Sequence, residues 1–381
     1  MFGRHCSSRQ NEKDHNAGTD FRIRSEKGEQ NMSFKRMFTA VETHSGEPMR
    51  VVTSGVPHIP GDSVYEQMKW LEKNDDQVRM LMCREPRGYP PVCVNLLVPP
   101  KNPKADAGFI IMEQVEYPVM SGGNTISVAT VLLETGMLPM QEPYTDFTLE
   151  APAGLIDIHA ECHNGKVTQV TFKNVPAFAV YLDAVIDVPE LGKVTVDVAW
   201  GGMFYVIADV RQFPWIELKP EHGGEIARVT SLILGAAQQQ LPVAHPDYPG
   251  IGITNVELSG PTDNPNADWK NSVRVGSGPV DLNDPSTFKA ALDRCPCGTG
   301  TCAKMAVLHA KGQLPLHQKF RHEGILGIVY TGELVEECKI GEYDAVVPTV
   351  GGQSWIYGYS NYVLDPTDPF ENGFTIGDIW A

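Results

Sequence analysis

Two stretches of this chain place a protic side chain at the mouth of a glycine-rich turn that opens a helix. One is "SGGNTISVATVLLETGMLP" from Ser121, and the other is "CGTGTCAKMAVLHAKGQLP" from Cys297. They align without a gap: Gly122 falls on Gly298, Thr125 on Thr301, Val131-Leu132 on Val307-Leu308, Gly136 on Gly312, and Leu138-Pro139 on Leu314-Pro315. Each predicts a strand exit, a tight turn, a helix, a glycine stop and a proline breaker. A helix start presents free N–H groups and partial positive charge, so a small carboxylate or phosphate can sit on either turn. The same field is expected to lower the pKa of the Cys297 thiol and free a thiolate as base or nucleophile. Two such starts facing each other would set two protic groups on opposite sides of one carboxylate-bearing carbon. That geometry moves a proton on and off the carbon. Taken singly, either turn reads better as a plain cap, with Ser121 an N-cap and Cys297 a small buried residue. The duplication favours chemistry.

"MSGGNTISVATVLLETG" and "DRCPCGTGTCAKMA" resemble the two signature motifs of the proline racemase superfamily, which includes hydroxyproline epimerases and trans-3-hydroxyproline dehydratases. "THSGEPMRVV" from Thr43 and "VDVAWGGMFYVIADV" from Val196 resemble two further blocks, in the expected order, from about Phe38 onward. The resemblance implies an α/β (α+β) architecture: two similar domains of the diaminopimelate-epimerase-like fold, each a curved sheet around a central helix, with the active site between them. It also implies catalysis without pyridoxal phosphate, metal or nucleotide. Carried over by motif, Ser121 and Cys297 are the acid–base pair. Gly122, Gly123, Asn124, Gly298 and Thr299 are expected around the substrate carboxylate, and Asp293 is expected to hold the ring ammonium. Asp293 also reads as a helix-start charge or a partner of Arg294, and Thr299 as a cap.

Ser121 departs from the racemase pattern, which has cysteine at both positions, and a known dehydratase branch has cysteine first and threonine second. A hydroxyl is a far weaker acid than a thiol, so two-way exchange between faces is hampered, whereas elimination needs no symmetric pair. The expected function is therefore dehydration of trans-3-hydroxy-L-proline to 1-pyrroline-2-carboxylate, by α-proton abstraction and loss of the 3-hydroxyl, with 4-hydroxyproline 2-epimerisation as a side activity. The alternatives are a 4-hydroxyproline 2-epimerase, converting trans-4-hydroxy-L-proline to cis-4-hydroxy-D-proline, and a non-catalytic imino-acid binder. A cysteine-nucleophile hydrolase is disfavoured because no histidine is spaced to activate Cys297.

The elements that must hold these turns are mostly strands. Short runs rich in Val, Ile, Thr, Phe and Tyr alternate with Gly and Pro punctuation from Met37 onward. Asn164-Gly165 predicts a hairpin turn. Helices are expected over Ser63–Asn74 and Glu225–Gln240, besides the two repeats. Residues 1–31 read as a polar, disordered leader, residues 32–192 as a first domain rejoined by about 365–381, and 193–364 as a second. Cys295 and Cys302 read as packing thiols, since their spacing with Cys297 lacks zinc knuckles. His44, Glu47, His58, His222 and His245 read as turn or surface residues, and Asp197, Gly201 and Gly202 as structural.

Composition narrows the partners. In 381 residues, 31 Lys and Arg face 47 Asp and Glu, giving a formal charge of −16. That field repels phosphate backbones, so nucleic acid is not expected as a partner. No apolar run is long enough for a membrane span. Eight cysteines without a secretory segment read as reduced thiols of a cytoplasmic protein. Oligomeric state is left open, a homodimer being one option.

Overall fold

The β-branched runs become sixteen strands, and the computed structural model describes residues 36–380. The expected 1–31 leader lies outside the described residues. The first half holds β1 (Arg36–His44), β2 (Pro48–Ser54), β3 (Cys93–Val98), β4 (Ala107–Met112), β5 (Tyr144–Ala151), β6 (Gly154–His163) and β7 (Lys166–Lys173). The second holds β8 (Ala177–Val188), β9 (Gly192–Trp200), β10 (Phe204–Asp209), β11 (Ile253–Gly260), β12 (Trp269–Arg274), β13 (Lys319–Glu323), β14 (Val329–Ile340) and β15 (Tyr343–Gly352). The last strand, β16 (Trp355–Leu364), returns to the first half and pairs antiparallel with β1.

Five helices accompany them: α1 (Val64–Asn74), α2 (Gln77–Cys83), α3 (Gly122–Glu134), α4 (Gly223–Gln240) and α5 (Gly298–Ala310). The turn at Asn164-Gly165 forms with both residues at positive φ (53° and 72°), as the sequence requires. Ser63 caps α1 by accepting from Glu66 N at 3.1 Å. The short α2 follows α1 almost directly and was not legible in the sequence.

The duplication runs through the whole topology. Parallel pairs need a crossover, and they fall at equivalent places: β2 with β3 and β4 with β5 in one half, β10 with β11 and β12 with β13 in the other. Helices α1 and α2, then α3, supply the first two crossovers, and α4, then α5, supply the second two. Strands β8 to β15 close into an eight-stranded barrel through the β14–β15 pairing. The order β7-β6-β5-β4-β3-β2-β1-β16 forms the companion sheet.

Each half wraps one central helix. Gly122 to Leu133 of α3 and Gly298 to Leu308 of α5 are all buried. A helix enclosed on every side needs an apolar sequence all round, which is why neither repeat shows a polar stripe. The halves join at β15. Its Ala345 and Val346 pair with β8, while Thr349 to Gly352 pair with β7. Gly192, the expected boundary, occupies the β8–β9 turn. No described helix is long and apolar enough to cross a membrane.

Candidate active site

The two glycine-rich turns meet. A Cβ on Gly122 would fall 2.7 Å from Gly298 Cα, and one on Gly298 would fall 2.6 Å from Gly122 Cα. Side chains are excluded there, and the starts of α3 and α5 abut backbone to backbone. Beside this contact lies a cavity lined by Ser121, Gly123, Asn124, Asp293, Cys297, Gly298 and Thr299, among others. The structure thus brings nearly all the expected site residues to one place. Gly122 is the exception in the lining, serving as the contact point itself.

Ser121 stands at the N-cap of α3 with extended backbone and makes no capping bond through its side chain. Instead Asn124 Nδ2 donates to Ser121 Oγ at 2.8 Å, and Asn95 Nδ2 donates to Asn124 Oδ1 at 2.6 Å. With a lone pair engaged, the hydroxyl proton is free to point elsewhere. Asn124 therefore orients Ser121 as well as lining the cavity.

Cys297 caps α5 at φ 60°, a conformation that a side-chain-bearing residue rarely adopts. Unlike Asn164 in its hairpin turn, Cys297 holds this conformation at a buried helix start, and backbone strain of that kind clusters at functional sites. Gly300 N donates to its Sγ at 3.4 Å, Tyr205 OH lies 3.2 Å away, and Tyr205 OH is 2.7 Å from Thr299 Oγ1. Burial, reinforced by the charge of Asp293, pushes the thiol well above its usual range. This corrects the expectation of a thiol lowered by the helix start: in the free site desolvation outweighs the dipole. The Gly201-Gly202 pair lets the β9–β10 turn close on this helix start, a Gly201 Cβ falling 2.2 Å from Thr299 O.

The cavity is acidic. Glu47, Glu113, Glu116 and Asp293 all line it. Burial raises Asp293 to about 6, Glu116 to about 7 and Glu113 to about 8, and raises Glu47 with help from the neighbouring Asp293 charge. Such a cluster favours a bound cation, and a ring ammonium would lower all four. Glu47, expected at the surface, is in fact buried and accepts from Arg294 N at 2.5 Å. His245 is buried as well, packed on Trp200 with ring centroids 4.4 Å apart. Cys295 lines the cavity and accepts from Cys297 N at 3.4 Å, whereas Cys302 is buried in the core.

Sequence reasoning missed Glu113, Glu116, Asn95 and Tyr205. The first two carried a signal, as acids directly after the apolar strand β4 and just before the Ser121 turn. Asn95 and Tyr205 carried none, being single polar residues inside strands.

Two duplicated α/β halves with facing, protically capped helix starts define the diaminopimelate-epimerase-like fold. The chain belongs to the proline racemase family, whose model matches residues 40–375. A proline racemase of Acetoanaerobium sticklandii is 37% identical over 348 residues, 91% of this chain and 100% of the relative. A solved hydroxyproline epimerase of Agrobacterium vitis, with bound trans-4-hydroxy-L-proline, is 36% identical with a TM-score of 0.84, covering 92% of this chain and 98% of that one. A solved probable proline racemase of Agrobacterium radiobacter K84, with bound carbonate, is 34% identical with a TM-score of 0.82, covering 90% and 98%.

Proposed function

We propose that the protein epimerises 4-hydroxyproline at C2, taking trans-4-hydroxy-L-proline to cis-4-hydroxy-D-proline. The carrying observation is that Ser121 and Cys297, caps of two abutting helix starts, line one cavity together with Asp293. The likeness to a solved epimerase holding trans-4-hydroxy-L-proline supports this reading. We place it ahead of the dehydration expected from the sequence. The substrate carboxylate rests on the N–H groups of both helix starts, and Asp293 receives the ring ammonium. Once the ring ammonium offsets the Asp293 charge that helps hold the thiol up, the Cys297 thiolate takes the Cα proton from one face, and Ser121 delivers its hydroxyl proton to the other. Asn124 and the start of α3 stabilise the oxygen left behind.

Dehydration of trans-3-hydroxy-L-proline is the second reading. Two observations favour it: the hydroxyl of Ser121 is a weak acid, and the cavity contains carboxyl groups raised to about 7 and 8, able to protonate a departing hydroxyl. Proton NMR of trans-4- and trans-3-hydroxy-L-proline in heavy water decides between them. Deuterium at C2 with appearance of the cis-4-hydroxy-D isomer supports epimerisation. Loss of the 3-hydroxy substrate to 1-pyrroline-2-carboxylate, with the 4-hydroxy substrate untouched, gives the second reading. No change in either substrate refutes both.

A further inference from the structure

Glu257, on β11, does not line the cavity and has no place in the mechanism above. It is fully enclosed, and neither of its carboxylate oxygens has a hydrogen-bond partner among the described residues. A buried carboxyl left without partners is costly, so its position needs a reason. The backbone of α5 supplies one. The point where a Gly300 Cβ would stand is 3.1 Å from Cys297 Sγ and 3.1 Å from Glu257 Oε2. Carboxylate and thiol are thus at most twice that distance apart, with a glycine where any other residue would wedge between them. One hydrogen-bonded water spans such a separation.

The titratable groups facing Glu257 come from two elements besides its own, while Asn271 of β12 and Ser259 of β11 are polar neighbours that lower its carboxyl. From α5, Lys304 is buried and exerts its charge on the carboxyl. From β13, His322 Nε2 is 3.7 Å from Glu257 Oε1, while its Nδ1 is 3.0 Å from Thr301 Oγ1. Burial and Lys304 hold this imidazole neutral, its pKa pushed down to about 3. The carboxyl itself is raised by burial to about 7, so it can both give and take a proton near neutral pH. Lys304 leads outward. Its Nζ sits 4.5 Å from the centroid of the Trp269 ring, and with Asp197, Asp209 and Lys311 it lines a polar cleft separate from the substrate cavity.

We propose that Glu257 relays protons between Cys297 and the solvent of this polar cleft, so that the thiol resets without the substrate cavity opening. The proposal rests on Cys297 being the group that takes the Cα proton. After that step the Cys297 S–H bond breaks and a Glu257 O–H bond forms, the proton crossing through one bridging water. The O–H bond then breaks toward the cleft, where solvent accepts the proton and the Lys304 ammonium steadies the carboxylate that remains. Run backward, the same path reprotonates the thiolate. Glu257 is a positioning and relay residue, and it touches no substrate atom.

The test compares two rates for trans-4-hydroxy-L-proline and for trans-3-hydroxy-L-proline. Glu257→Gln keeps shape and removes the exchangeable proton. Loss of the Cα hydrogen in a single turnover stays within about twofold of wild type, whereas steady-state turnover falls about tenfold or more. The steady-state profile of wild type carries an ionisation absent from its single-turnover profile, and Glu257→Gln loses that one while keeping those of Asp293, Glu113 and Glu116. Glu257→Asp recovers part of the turnover, and Lys304→Met moves that ionisation to higher pH because it removes the nearby cation. An equal fall in both rates, or no fall with an unchanged profile, makes Glu257 merely structural and overturns the proposal. If Glu257→Gln does not fold, the profiles of Glu257→Asp and Lys304→Met decide by the same criteria. Absence of Cα exchange in the wild type with both substrates refutes the functional reading, and the relay falls with it.

Discussion

Gly122 and Gly298 touch through their backbones, each forbidding a side chain on the other. This contact fixes the distance between the two helix starts, and hence between the acid and the base. Gly122→Ala or Gly298→Ala forces a methyl into the partner's Cα. Overpacking of this kind costs about 1–3 kcal/mol, less than the roughly 5–15 kcal/mol by which folded domains are typically stable. A displacement on the order of 1 Å at the reacting atoms costs about a hundredfold in rate. Both variants should therefore keep helix content by circular dichroism and lose at least that factor in kcat. Retained turnover would mean that the contact does not set the geometry.

Ser121 is the second test. Ser121→Ala removes the donor on one face and should reduce epimerisation by about 10²–10⁴-fold. Ser121→Cys restores a thiol and should raise proline racemisation relative to hydroxyproline turnover. Asn124→Ala frees the Ser121 oxygen from its donor, and should reduce kcat more than it raises KM. Chiral chromatography of the products reads all three.

Cys297 should alkylate slowly at neutral pH in the free protein, because burial and the Asp293 charge hold its thiol up. Asp293→Asn removes that charge and should speed iodoacetamide labelling at pH near 8 by about tenfold, while weakening substrate binding. Tyr205→Phe removes a hydrogen bond that pulls the thiol pKa down, so labelling should slow. Opposite signs from two neighbouring substitutions separate electrostatics from simple loosening. Mass spectrometry of the labelled peptide gives both rates.

Glu113 supplies a pH test of stability. Its carboxyl rises from 4.5 to about 8 on folding, so between those values the folded protein holds a proton that the unfolded chain has lost. The stability associated with this group is complete below about 4.5 and is lost as the pH climbs through about 8. Glu113→Gln abolishes the loss, on the order of 5 kcal/mol. Its Tm should exceed that of wild type near pH 8.5 and match it near pH 4. A constant difference across the range would remove Glu113 from the titration.

The repeat was the most legible feature of the sequence, because a fully buried helix with a glycine start leaves the same imprint twice. Ser121, Cys297 and Gly298 could be read from that imprint, while Thr299 and Asp293 came from the resemblance to the family motif. Strand-rich stretches and the Asn164-Gly165 turn were legible from period and turn chemistry. The acid lining was not. Glu47 sits in a turn signal, "SGEP", that reads as surface, and only the tertiary fold brings it against Arg294. The state of the Cys297 thiol was misread for a related reason: a helix start is visible in sequence, but the burial that opposes it exists only once the two halves have folded around the site. Asn95 acts through Asn124, and a second-hand contact of that kind leaves no local trace.

Strand β15 has a mechanical meaning. Along one edge it carries β8 and then β7, so both halves hang on a single hydrogen-bonded ladder. At the changeover Pro348 offers no amide proton, while its carbonyl accepts from Asn174 N at 2.8 Å. Any widening of the cavity must therefore flex a continuous sheet rather than swing on a slack tether. In mechanical terms β15 is a leaf spring between the halves rather than a hinge pin.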